Sequence, residues 1–207
     1  IAEGSMLPSG KMPYEVFIPA YRDEILSDTV MVYGNVDEVE LVLNGKTIRR
    51  QTADKGPDSD YIPVPNGGNG KNLHFPPFTF YGVSKERGVL KAVGYHQGKK
   101  VAEYTVKTPG VPERLDITYF ESGKPATKND LLIVYVRMLD KQGVLCPVNG
   151  IPVELSVQGG EIVGPTSYPL EAGVASFLVR TGEISKININ ATGKGFSTRK
   201  SLKVGKE

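Results

Sequence analysis

The sequence predicts an all-β protein made of two immunoglobulin-like β-sandwich domains in tandem. Three observations lead there. No stretch keeps the three-and-four spacing of apolar residues that a helix needs. Short alternating apolar runs recur between Gly, Pro, Asn and Asp clusters along the whole chain. Near the middle of the 207 residues, Thr108-Pro109-Gly110-Val111-Pro112 interrupts the strands as a short, stiff connector expected to hold the two halves in a preferred orientation. The expected layout is a disordered or cloning-derived start over 1–10, a first sandwich over 11–108, a linker over 109–112 and a second sandwich over 113–204.

In the first half, Tyr14 to Ile18 reads as an edge strand between Pro13 and Pro19, because proline donates nothing to a ladder. Thr29 to Tyr33 follows and stops at Gly34-Asn35. From Asp37 to Ile48, Val39, Leu41 and Leu43 alternate with Glu40, and Asn44-Gly45 suits a two-residue hairpin turn with positive φ at both positions. Residues 52–72 are polar and glycine-rich, a loop of unusual length that is either mobile or functional and reads as a family-specific insertion. Phe78 and Phe80 then mark a strand. Val89 to Tyr95 and Val101 to Lys107 form a second hairpin across His96-Gln97-Gly98-Lys99, with Val93 on a partly covered outer face.

In the second half, Leu115 to Tyr119 alternates, and Leu131 to Leu139 is apolar on both faces apart from Arg137, as a central strand would be. Asp140-Lys141-Gln142-Gly143 turns the chain. Val153 to Val157, Glu161 to Val163, Gly173 to Val179, Ile187 to Ala191 and Phe196 to Val204 complete the set. About seven short strands in roughly 90 residues fit a Greek-key sandwich.

Composition excludes several functions. The 25 Lys and Arg against 23 Asp and Glu leave a net charge of +2 in mixed sign, so no basic face for nucleic acid or an anionic membrane is expected. The brief clusters Lys46-Arg49-Arg50 and Arg199-Lys200-Lys203 read as solvated strand edges. Cys146 is the only cysteine, so no internal disulfide can form, and its apolar flanks indicate a buried, inert thiol. No apolar run approaches the roughly 18 residues of a membrane span, and no membrane insertion is expected.

The residues carry little chemistry. Glu38 and Glu40 share a strand face about 6.5 to 7 Å apart, a spacing that superficially suits a glycosidase pair. They lie on the wet side beside a turn, however, without a dry pocket. His74 and His96 have neither metal-ligand spacing nor a serine partner and read as surface histidines. Asp116, Asp130, Asp140 and Glu171 lack a calcium-loop interval, and Gly67-Gly68-Asn69-Gly70 lacks the flanking strand and helix of a phosphate loop. No cofactor is expected. Tyr61, Phe75, Phe78 and Tyr168 are the candidate sugar-contacting residues. The phenylalanines have a competing core reading, and the two tyrosines lie in loops.

One longer pattern carries a resemblance. Val30-x-Val32-Tyr33-x-Asn35-x-Asp37-Glu38-Val39-Glu40-Leu41-x-Leu43-Asn44-Gly45-Lys46, with Gly88 to Tyr95, Gly98-Lys99-x-Val101-Ala102 and Thr108-Pro109-Gly110, resembles the segment after the catalytic barrel in bacterial glycoside hydrolase family 2 enzymes, the beta-galactosidase-like group. Asp130-Leu131-x-x-Val134-x-Val136-x-x-x-Asp140-x-x-Gly143 and the Gly173 to Val179 strand resemble the invasin-like, immunoglobulin-type domain that often follows. The likeness covers nearly all of the chain from Lys11. It implies two non-catalytic sandwiches that act as scaffold or spacer for the catalytic barrel of a parent enzyme acting on beta-linked sugars such as galactosides. The family's catalytic glutamates belong to that barrel, so no catalytic position carries over. The implied partners are the barrel and a polysaccharide or glycan, and the implied location is periplasmic or extracellular. A carbohydrate-binding module and a cell-surface adhesion pair are the alternative readings.

Overall fold

Alternation of apolar side chains dictates strands, and strands are what form. The computed structural model describes residues 13–18, 28–54, 75–120 and 125–205. Among these described residues the regular elements are fifteen strands, paired antiparallel throughout in four sheets. The chain divides into two compact units, residues 1–108 and 109–207, each holding two of the sheets. Among the described residues no helix is long and apolar enough to cross a membrane.

In the first unit, β1 (Val16–Phe17), β2 (Val30–Gly34) and β5 (Phe78–Phe80) make a three-stranded sheet in the order β1-β2-β5. The strands β3 (Glu38–Leu43), β4 (Lys46–Thr52), β6 (Val89–His96) and β7 (Lys99–Lys107) make a second in the order β4-β3-β6-β7. Val16, Val32, Phe78 and Phe80 from one sheet and Val39, Leu41, Leu90 and Ala92 from the other share one core. Each large side chain so buried contributes about 1.5–3 kcal/mol. The β3–β4 turn has φ of 51° at Asn44 and 80° at Gly45, the left-handed pair that matches strand twist. Gln97 and Gly98 repeat it between β6 and β7, with φ of 49° and 75°.

Two expectations change here. The first strand shrinks to Val16–Phe17 because Asn35 replaces the next rung of the ladder: its Oδ1 accepts from the Glu15 N–H at 2.7 Å and its Nδ2 donates to the Pro13 carbonyl at 2.8 Å. Val93 is buried rather than partly covered, at 7% exposure, since its ladder neighbours Glu40 and Glu103 flank it with long side-chain stems. Of the polar stretch 52–72, residues 55–72 lie outside the described residues. Its start is tied to β5, where Asp54 accepts from the Thr79 N–H at 3.1 Å and the Thr79 hydroxyl at 2.5 Å.

In the second unit, β8 (Pro112–Tyr119), β9 (Leu131–Asp140), β11 (Gly160–Ile162) and β13 (Val174–Thr181) form a sheet ordered β11-β13-β9-β8. The strands β10 (Pro152–Gln158), β12 (Ser167–Pro169), β14 (Lys186–Gly193) and β15 (Phe196–Lys203) form the other, ordered β12-β10-β14-β15. Val134, Val136, Met138, Phe177 and Val179 meet Val153, Leu155, Ile187 and Ile189 in a single core. Strand β12 had no signal in the sequence, because its three residues are all exposed and show no alternation.

Pro112 already belongs to β8, and Gly110 donates its N–H to Asp140 Oδ2 at 2.7 Å, so the end of the connector is fastened to this unit. Asp140 Oδ1 also accepts the Gln142 and Val144 N–H groups at 2.8 Å each, which holds the turn after β9. Cys146 is buried, as its flanks indicated. Strand β9 is central, between β13 and β8, but only its inward face is uniformly buried. Outward-facing Leu131 and Ile133 are 50% and 44% exposed, because no second layer among the described residues covers that side. Ile133 pairs with Leu178 and accepts the Phe120 N–H, so the three lie in one cross-strand row. The basic clusters fall on β4 and β15, both sheet-edge strands, where charge discourages edge-to-edge pairing.

Candidate functional site

Alternation along β3 sends Glu38 and Glu40 to the outer face of the sheet, where both are engaged. Arg50 Nη2 pairs with Glu38 Oε2 at 2.6 Å, and its guanidinium lies 3.7 Å from the centre of the Tyr95 ring. The Tyr95 hydroxyl donates to Glu40 Oε2 and the Thr47 hydroxyl to Glu40 Oε1, each at 2.7 Å. The Thr47 and Tyr95 hydrogen bonds hold the Glu40 carboxyl below its usual range, and the bond to Glu40 pushes the Tyr95 hydroxyl up. A glycosidase acid needs the opposite shift, a carboxyl kept protonated by its surroundings. This arrangement clasps β3, β4 and β6 together.

One residue beyond the Glu38–Tyr95 pair, His96 Nδ1 lies 3.0 Å from Asp37 Oδ1, and Asp37 Oδ2 accepts the Gln97 N–H at 2.8 Å. The Gln97 N–H, followed by His96, keeps the Asp37 carboxyl low. The Tyr14 ring stacks on the imidazole with centroids 4.7 Å apart. His74 lies outside the described residues. Among the described residues no three His, Cys, Asp or Glu side chains gather as a metal site. Asp116 is paired with Arg137, and Asp130 receives the Leu131 and Thr127 N–H groups.

The feature with an open surface is on the other sheet. Phe17 and Tyr33 face each other across β1 and β2, while Val16 and Val32, one position away, point into the core. Period-two geometry places Glu15 beside Phe17 and Asn35 beside Tyr33 on that same outer side. With Pro13, Gly34 and Phe75 they line an open groove of about 290 Å³. Phe17, Tyr33 and Phe75 are 47%, 39% and 46% exposed. Tyr104 meets the Phe17 ring edge-on at 5.1 Å between centroids and steadies it. The Asn35 amide is spent on the backbone, whereas the Glu15 carboxylate and the Tyr33 hydroxyl have no hydrogen-bond partner among the described residues.

The four sugar-contact candidates therefore separate. Phe75 lines the groove. Phe78 does not: its ring is fully buried, because strand β5 lies over the core and turns that side chain inward. Tyr168 stands on β12 in the other unit, edge-on to Phe177 at 5.5 Å. Tyr61 lies outside the described residues. Sequence reasoning missed Phe17, Tyr33 and Glu15. The available signal was phase: Phe17 and Tyr33 are out of step with Val16 and Val32, the apolar residues that had to face the core.

Residues 27–102 match a family model described as "Domain of unknown function (DUF4982)". The chain is 30% identical over 176 residues to a beta-galactosidase of Thermoanaerobacter pseudethanolicus, an alignment covering 79% of this chain and 22% of that protein. It is also 30% identical over 129 residues to a beta-galactosidase of Rhizobium radiobacter, covering 61% of this chain and 92% of that protein. The chain belongs to the beta-galactosidase family. It spans only about a fifth of the first of these family members. The fold is shared with the solved structure of a beta-glucuronidase from glycoside hydrolase family 2, with a TM-score of 0.70, 21% identity, and coverage of 94% of this chain and 20% of that one.

Proposed function

We propose that this chain is a non-catalytic accessory part of a glycoside hydrolase acting on beta-linked sugars such as galactosides. In this reading two tandem immunoglobulin-like sandwiches, 11–108 and 113–204 joined by 109–112, serve as scaffold and spacer for a catalytic barrel in the same parent polypeptide. The observation that carries it is the alignment itself: 176 residues of this chain correspond to 22% of a beta-galactosidase. The engagement of both glutamates supports it: Glu38 is paired with Arg50, and the Thr47 and Tyr95 hydrogen bonds hold the Glu40 carboxyl low, opposite to what a glycosidase acid needs. By the same family likeness the parent works in the periplasm or outside the cell.

The test has two arms. The purified chain is given an aryl beta-galactoside, and the parent enzyme is compared with and without this region. No hydrolysis by the chain, and a parent that loses thermal stability when the region is deleted, is the expected result. Hydrolysis by the chain alone that disappears in a Glu40→Gln variant would overturn the reading.

A second reading, carbohydrate binding, is favoured by the groove at β1 and β2.

A further inference from the structure

We propose that the groove lined by Glu15, Phe17, Tyr33 and Phe75 binds one neutral pyranose residue of a glycan. Well-exposed aromatic rings keep apolar surface in contact with water, and the C–H face of a sugar ring can cover that surface without having to bury its hydroxyls. Phe17 and Tyr33 are direct cross-strand partners, so their side chains stand about 5 Å apart, and Glu15 and Asn35 follow about 7 Å along the strands. That patch is the size of a single pyranose ring. The volume of about 290 Å³ lies at the small end of ligand sites, ~300–1,000 Å³, which favours one sugar residue over a long stretch of chain.

The polar groups decide the class of sugar. The Glu15 carboxylate accepts hydrogen bonds and the Tyr33 hydroxyl donates or accepts them, and both lack protein partners among the described residues. They can therefore pair with sugar hydroxyls without breaking an existing bond. Among the described residues no Lys or Arg lines the groove. An acidic sugar would set its carboxylate against Glu15 with no cation among those residues to offset it, which disfavours uronic acids.

The groove is also built rather than incidental. Gly34 leaves the room for β1 to approach: a Cβ there would lie 2.7 Å from the Glu15 carbonyl oxygen and 3.0 Å from Val16 Cγ1. Asn35 fixes the strand end through its two backbone hydrogen bonds, so Glu15 and Phe17 are held in place before any ligand arrives.

The proposal deepens the accessory-region reading but fails separately from it: a chain that binds no sugar can still be a scaffold, and only hydrolysis by the chain contradicts that role. The test is saturation-transfer NMR on the full chain with methyl beta-galactopyranoside, methyl beta-glucopyranoside and methyl beta-glucuronide at millimolar concentration. Saturation transfer to at least one neutral glycoside, with backbone shifts at Gly34, Asn35 and Phe75 and weaker transfer to the glucuronide, is expected. Phe75→Ala should weaken binding about tenfold, the loss typical of a truncated aromatic anchor. Glu15→Gln should bring the glucuronide up to the level of the neutral sugars. Absence of transfer from both neutral glycosides, wild-type affinity in Phe75→Ala, or equal binding of glucuronide by the unmodified chain would each overturn the site.

Discussion

Asn44 and Gly88 fit together so closely that a Cβ on Gly88 would stand 1.9 Å from Asn44 Oδ1. That oxygen accepts the Val89 N–H at 2.8 Å, Asn44 Nδ2 donates to the Arg87 carbonyl at 3.1 Å, and the Asn44 N–H reaches the Val89 carbonyl at 2.8 Å. The residue that turns the β3–β4 hairpin thus also fastens it to the start of β6. Gly88 has φ of 143°, a conformation that other residues rarely adopt.

Gly88→Ala should therefore cost about 2–3 kcal/mol, through backbone strain and the loss of the Asn44 hydrogen bonds. Asn44→Gly keeps the turn but loses the fastening and should cost about 1 kcal/mol. Urea denaturation of both variants checks the order; equal stability of Gly88→Ala and the unmodified chain would contradict the geometry.

Strand β9 offers an internal control. Val134 is fully buried, whereas Ile133, the next residue, is 44% exposed. Val134→Ala should lose about 2 kcal/mol from transfer and cavity terms, and Ile133→Thr less than about 0.5 kcal/mol. Comparable losses in thermal unfolding would mean that the outer face is covered in solution.

Asp140 predicts an acid-sensitive element. Its carboxyl is held below the usual 3.8, first by the Gly110 N–H and then by Val144 and Gln142. A lowered folded value means the stabilisation is present above 3.8 and is lost as pH falls through the folded value. The urea midpoint should decline as pH drops below 3.8, and Asp140→Asn should start lower and decline less. A variant that follows the unmodified pH profile would remove Asp140 as the cause.

The exposed clasp around Glu40 should matter little to stability. Glu38→Gln and Glu40→Gln should each change it by less than about 1 kcal/mol, as for other solvent-facing pairs. Calorimetry of the two variants reads this directly, and a loss of several kcal/mol would show that the network is desolvated.

The parts of the fold legible in sequence were those set by neighbours along the chain. Val39, Leu41 and Leu43 declared an inward face, Asn44-Gly45 declared a turn, and Asp140 with Gly143 declared another. Strand β12 was silent because Ser167, Tyr168 and Pro169 bury nothing. Leu131 and Ile133 misled, because an apolar residue states a preference for burial and not whether a covering layer exists. Phe75 and Phe78 were both candidate sugar contacts with a competing core reading, and the sequence could not separate them: Phe78 stands on β5 with its ring in the core, whereas Phe75 precedes that strand and is exposed.

The sequence by itself determined that this chain is β-structured, where most strands turn and which beta-galactosidase-like text it carries. Those properties follow from side-chain periodicity and backbone sterics, which act over a few residues. Only the tertiary structure decided that Phe17, Tyr33 and Phe75 share a groove with the Glu15 carboxylate, which has no partner among the described residues. Their meeting depends on strand register between segments far apart in the chain, where a shift of one residue would send every ring to the opposite face.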